Sequence, residues 1–360
     1  MRYFDGMVDQ TQPMIIRADA STQIGIGHLM RCLALAKAWQ DSGGMIVFVI
    51  AMGVPRIEAR LQSEGMEVVH LSVQPGSNDD AIQTADLARR RKASWVVVDG
   101  YHFGADYQRI IKDSGLYLLA IDSGYSRHYY ARIVLNQNIH ADEGLYENRE
   151  LYTQLLIGTR YILLRPEFLE WRGWKREIPG VARKVLVTLG GGDPDNVTLK
   201  VILALQQVEV KGLEAVVVVG GSNPHYEKLL SAIKDLQYSI RLVRDAINMP
   251  ALMAWADVAV SAGGGTCWEM ALMGLPNLII VVADNQRVAA EGLHEKGAAV
   301  SLGWREQVSG REIARSLESL MGDAVKRAGM ARTGRSLVDG RGAERVLMAM
   351  GEVHEIGQNW

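Results

Sequence analysis

Cysteine is nearly missing. The 360-residue chain has two, Cys32 and Cys267, far apart, and so sparse a set frames no disulfide scaffold. Reduced, packed thiols fit better, and with them a cytoplasmic setting. Net charge is missing too: 39 Lys and Arg face 41 Asp and Glu, a formal charge of −2, which leaves no broad basic field to grip a nucleic-acid backbone. No stretch reaches the ~18 uninterrupted apolar residues of a membrane span. The N-terminus lacks the charged-then-apolar layout of a signal peptide, and residues 1–13 read as an extension. The chain also lacks an HExxH, a CxxC pair, a GxSxG turn and a P-loop, so the sequence gives no support to a zinc hydrolase, a serine hydrolase or a P-loop NTPase. Low-complexity tracts and short repeats are absent as well.

What is present is ordinary for a folded protein, with 48% apolar and 22% charged residues. At ~100 to 200 residues per domain the length predicts two domains. Short β-branched runs alternate with helical patterns: "MIIRAD" at 14, "MIVFVIA" at 45, "EVVHL" at 67, "SWVVVDG" at 94, "LYLLAID" at 116 and "ARIVLNQ" at 131. Runs this apolar suit strands covered on both faces. The helix "HLMRCLALAKAWQDSG" puts Leu29, Leu33, Ala36 and Trp39 on one face and ends at Gly43. The pattern breaks at Arg165–Ile178, a Pro-, Trp- and charge-bearing stretch read as the domain junction, and then resumes at 184, 213, 240, 256 and 276. The fold class expected is α/β, two Rossmann-like doubly wound domains facing a cleft, over residues 14–172 and 180–335, with a helical segment at 336–360. Sheets of this kind bind ligands at the carboxyl ends of their strands.

Polar clusters follow those ends. "TLGGGDPDNVT" and "SAGGGTCWEMALMGLP" each join a glycine-rich turn to a helix. Backbone without Cβ atoms can approach a diphosphate, and a helix start favours the anion. The plainer reading, a tight turn needing positive φ, stands beside it for the first. Glu269 can accept from ribose hydroxyls or serve as an ordinary first-turn carboxylate. "GIGHLM" puts His28 at a helix start, where the dipole favours the neutral imidazole that can take a proton. A capping or packing histidine is the alternative, and Asp19 and Ser21 on the same loop are the groups expected to orient the ring. "VDGYHF" sets Asp99, Tyr101 and His102 at one strand end and "AIDSGY" sets Asp122 at the next, each readable as a turn or cap.

Taken together, "RADASTQIGIGHLMRCLALA", "VVDGYHF", "LNQN", "LLRPEF", "GGGDPDN", "GGSNPH", "SAGGGTCWEMALMGLP" and "ADNQ" resemble the UDP-sugar hydrolase family of pseudaminic acid biosynthesis, itself similar to the glycosyltransferase that completes the peptidoglycan lipid precursor. The resemblance implies a GT-B-like fold with UDP held mainly by the C-terminal domain. It implies that water displaces UDP from UDP-2,4-diacetamido-2,4,6-trideoxy-β-L-altropyranose at the anomeric carbon, with inversion. The family's catalytic histidine falls on His28, and Tyr101 and Asn285 match residues near the sugar. Within the matching stretches the expected UDP and substrate contacts are Asp19, Gly25, Gly27, Gly191, Gly192, Asp193, Asn223, Gly263, Gly264, Gly265, Thr266, Glu269 and Gln286. The small-molecule UDP-sugar is the one partner implied. No cofactor, metal or obligatory protein partner is. A glycosyltransferase with the same donor and a non-catalytic nucleotide-sugar binder are the rival readings.

Overall fold

A computed structural model describes residues 12–20, 27–122, 124, 127–234 and 239–358. The chain divides into two compact units, one formed by Met1–Pro166 with Gly340–Trp360 and the other by Glu167–Asp339. The first unit runs β1 (Pro13–Ala18), α1 (Gly27–Asp41), β2 (Met45–Ile50), α2 (Pro55–Ser63), β3 (Glu67–His70), α3 (Asn78–Arg90), β4 (Trp95–Asp99), α4 (Ala105–Asp113), β5 (Tyr117–Ile121), β6 (Ile133–Asn136) and β7 (Gln154–Ile157). All strand pairs are parallel, in the order β3-β2-β1-β4-β5-β6-β7. The two-residue strand period divides the core. Met14, Ile16, Phe48, Trp95 and Val97 face α1, while Ile15, Val47, Val49, Val96 and Val98 face α3 and α4. Helix α1 ends where expected, with Gly43 at φ 101° and its amide bonded to the Gln40 carbonyl.

The second unit runs β8 (Lys184–Thr188), α5 (Val197–Leu205), β9 (Glu214–Val219), α6 (Tyr226–Ala232), β10 (Ser239–Arg244), α7 (Met249–Trp255), β11 (Val258–Ala262), α8 (Thr266–Leu272), β12 (Asn277–Val281), α9 (Arg287–Glu295), β13 (Val300–Trp304), α10 (Gly310–Gly322) and α11 (Ala324–Leu337). Its parallel sheet has the order β10-β9-β8-β11-β12-β13. The last helix, α12 (Gly342–Gln358), belongs to the first unit, where Val346, Leu347, Met350 and Val353 join the core on the α1 face. Among the described residues no helix is long and apolar enough to cross a membrane.

Two strands have no counterpart in the sequence pattern, β7 and β13, and both are sheet edges. An edge strand is covered less and packs on one neighbour only. Every residue of β13 is half-buried, and its pairing with β12 slips at Ile279/Ile280. The continuous apolar run that marks a central strand is therefore missing.

Candidate functional site

In each sheet the order reverses direction at one point, and there the chain leaves neighbouring strands toward opposite faces, opening a crevice at their carboxyl ends. In the first unit this falls between β1 and β4. The register sets Ala18 beside Asp99, so the loop entering α1 and the loop entering α4 start side by side. His28 comes from one and Asp99, Tyr101 and His102 from the other.

His28 is buried, and its Nδ1 lies 2.6 Å from Asp99 Oδ1. An ionised carboxylate only accepts, so in the neutral imidazole Nδ1 carries the proton and Nε2 the lone pair. Burial by itself would raise the Asp99 carboxyl, but the guanidinium of Arg31 outweighs it and the pKa is held below the usual carboxylate value. Arg31 donates to both Asp99 oxygens through Nε and Nη2. Cys32 lies 3.6 Å from the same carboxylate, and burial followed by Asp99 pushes its thiol pKa up, which makes it an inert neighbour. The ring of Tyr101 meets that of His28 edge-on, centroids 5.0 Å apart at 84°. An oriented imidazole beside an aromatic ring can, in its neutral form, take a proton from water or from an alcohol.

The expectation that Asp19 orients His28 is corrected. Asp19 accepts from the amides of Ala51 and Met52 at 2.8 and 2.9 Å and pairs with Arg17 at 2.7 Å, with no accessible side-chain surface. Its carboxylate is engaged by these partners within the first unit. Asp99 does the orienting. In the sequence Asp99 is a strand-end candidate equally readable as a turn or cap, and Arg31 carries no signal of its own, because only the β1–β4 register reveals what they face. Asp122 is an anchor: it accepts from the Tyr129 hydroxyl at 2.9 Å and the Gly124 amide at 2.6 Å. Gly25 and Ser21 lie outside the described residues, and Gly27 is the exposed first residue of α1.

In the second unit the reversal falls between β8 and β11, which brings the two glycine-rich turns together. They are built differently. After β8, Gly190 takes φ 93°, as a tight turn requires, and Asp193 folds back on α5. Its two oxygens accept from the amides of Val197 and Thr198 at 2.8 and 2.9 Å. That helix start already has its anion: Asp193, expected among the UDP and substrate contacts, turns its carboxylate onto these amides as a cap. Gly191 gives its carbonyl to the Ser222 hydroxyl at 2.8 Å, and Asn223 uses its Oδ1 on the amide of His225 at 2.7 Å. Gly191 and Gly192 retain only their backbone for a ligand.

After β11 the turn is open. Gly263 is buried with its amide on Gln286 Oε1 at 3.2 Å, and the same oxygen accepts from Val282 at 3.1 Å. A Cβ on Gly263 would lie 2.9 Å from the Gln286 carbonyl, whereas one on Gly265 would meet nothing within 4 Å. Exposure rises from Gly263 to Gly265, and Thr266 then opens α8. Glu269 lies in the first turn of α8 and is buried. Gln286 thus braces the turn, and Asn285 beside it is exposed after β12. Among the described residues no three His, Cys, Asp or Glu side chains converge as a metal ligand set.

Residues 185–339 match the Glycosyltransferase family 28 C-terminal domain. Over 94% of its length the chain is 27% identical to the spore coat polysaccharide biosynthesis protein SpsG of Bacillus subtilis, covering 98% of that protein. It is 26% identical over 80% of its length to the UDP-2,4-diacetamido-2,4,6-trideoxy-β-L-altropyranose hydrolase of Campylobacter jejuni, again covering 98%. Among solved structures it resembles MurG of Acinetobacter baumannii, with a TM-score of 0.67 at 14% identity over 93% of this chain and 98% of that one. The fold is GT-B, built from two Rossmann-like units.

Proposed function

We propose that this protein hydrolyses a UDP-sugar and that its substrate is UDP-2,4-diacetamido-2,4,6-trideoxy-β-L-altropyranose. The observation carrying the reading is the His28–Asp99 pair at 2.6 Å, a base whose free nitrogen is chosen by a buried carboxylate. The relative from Campylobacter jejuni supports the substrate.

In this reading the second unit holds UDP. The open turn at Gly263, Gly264, Gly265 and Thr266 receives the diphosphate, Glu269 takes ribose hydroxyls, and the backbone of Gly191 and Gly192 lines the same reversal point. Tyr101 and Asn285 contact the sugar. His28 Nε2 removes a proton from water as the water oxygen attacks the anomeric carbon. The bond from that carbon to the diphosphate oxygen breaks with inversion, and its electron pair leaves with UDP. Amide dipoles stabilise the departing charge, and the imidazole contributes the ~10²- to 10⁴-fold of a general base.

The match to a glycosyltransferase C-terminal domain favours a second reading, in which Nε2 activates an acceptor alcohol instead. Incubating the protein with the UDP-sugar and no acceptor separates the two. UDP and free sugar should appear in equal amounts, with the product anomer inverted by NMR, in EDTA as in its absence. Under the same conditions His28→Asn should lose at least ~10² in kcat and bind UDP as wild type does. Tight UDP binding without turnover would overturn hydrolysis in favour of transfer or of a binding protein.

A further inference from the structure

Around the His28–Asp99 pair the two loops exchange partners. The histidine of the β1 loop is held by the carboxylate that ends β4. His102, on the β4 loop, faces in turn the carboxylate that follows β1. Its Nε2 lies 3.4 Å from Asp19 Oδ2, a close polar approach rather than an aligned hydrogen bond, and neither buried atom has a hydrogen-bond partner among the described residues. Arg17 pairs with the same oxygen at 2.7 Å, so His102 and Arg17 both face one carboxylate oxygen. Burial would raise the Asp19 carboxyl; His102, then Arg17 and the amides of Met52 and Ala51, reverse this and hold it at about 2.

The residues beside His102 are held as well. Its ring tilts against Phe103 at 4.2 Å, and the guanidinium of Arg17 lies 5.3 Å from the centre of the Phe103 ring. A Cβ on Gly76 would sit 2.3 Å from the His102 carbonyl oxygen, so only glycine admits the loop there. On the far side Arg127 donates to the carbonyls of Phe103 at 2.7 Å and Tyr101 at 3.5 Å. Tyr101, 46% exposed, is thus the group this framework presents to His28.

We infer that His102, tethered to Asp19, is a positioning residue that sets Tyr101 against His28 and so fixes the orientation of the base. The kinetic consequence rests on the hydrolase reading, while the geometric one does not. His102→Leu removes the tether and leaves Asp19 its pair with Arg17 and its two amides. His102→Gln keeps an N–H that can reach Asp19. The leucine variant should lose about 10-fold in kcat, within the range for a slightly misplaced catalytic group, with the UDP-induced shift in Tm unchanged. The His28 ring signals in NMR should move as the Tyr101 ring leaves its edge-on position. The glutamine variant should recover to within about 3-fold and restore those signals. Unmoved His28 signals in the leucine variant would overturn the inference, and so would equal losses in both variants with a lowered Tm. If the wild type has no hydrolase activity, the functional reading fails and the ring signals alone decide the positioning role.

Discussion

An imidazole acts as a base only through its unprotonated nitrogen, and at His28 that choice belongs to Asp99. Replacing the carboxylate by an amide tests it. Asp99→Asn keeps the shape but can donate to Nδ1, which favours the other tautomer and, in the proposed reaction, points the proton at the water. We expect kcat to fall ~10²- to 10⁴-fold with UDP binding retained, by steady-state kinetics and titration calorimetry. Asp19 makes a different prediction, about stability. Its carboxyl is held at about 2 in the folded state, below the ~3.9 of an unfolded chain. The stabilisation is fully present above the unfolded value and is lost as pH falls through the folded one. It amounts to about 3 kcal/mol. Urea unfolding between pH 5 and pH 2 should show the first unit weakening, and Asp19→Asn should flatten that slope while lowering stability at neutral pH. A variant with the wild-type slope would remove Asp19 from the account.

At the scale of elements, two helices start after similar glycine turns and meet opposite fates. The start of α5 is closed by Asp193, whose φ of 42° is a left-handed conformation that Asp tolerates better than most residues. The start of α8 has no side-chain cap. A diphosphate is therefore expected at α8. Asp193→Ala should cost about 1 to 2 kcal/mol, a lost cap plus strain, and leave the UDP-induced rise in Tm intact. Glu269→Ala should abolish most of that rise. Thermal shifts with and without UDP check both, and a loss of the UDP effect in the Asp193 variant would return the first turn to the binding site.

At the scale of the whole molecule, the chain returns to its beginning. Helix α12 follows the second unit in sequence, yet Val346, Leu347, Met350 and Val353 pack in the core of the first with Leu29 and Leu33. Each such side chain contributes roughly 1.5 to 3 kcal/mol by leaving water, so together they rival the ~5 to 15 kcal/mol that holds a domain folded. A chain ending at Asp339 should lose the calorimetric transition of its first unit, or show it lowered by ~10 °C or more. An unshifted transition would show that α12 adds little.

The central strands, the glycine turns and the place of His28 were legible in the sequence because each is a local pattern: an apolar run, a residue without Cβ, a histidine at a helix start. The edges β7 and β13 were not, since Gln154–Ile157 and Val300–Trp304 each carry a single β-branched residue, whereas the edges β3 and β10, which were read, carry two each. Nor were the partners within the site. Asp19 and Asp99 are both acidic residues at strand ends, and nothing in their neighbours in sequence distinguishes an enclosed anchor from the group that orients a base. Asp193 and Glu269 pose the same problem beside two similar turns. The register of β1 against β4, the way each carboxylate turns and the return of α12 are set by contacts between residues far apart in the chain. Those contacts come into being only when the sheets assemble, and the tertiary structure alone decided them.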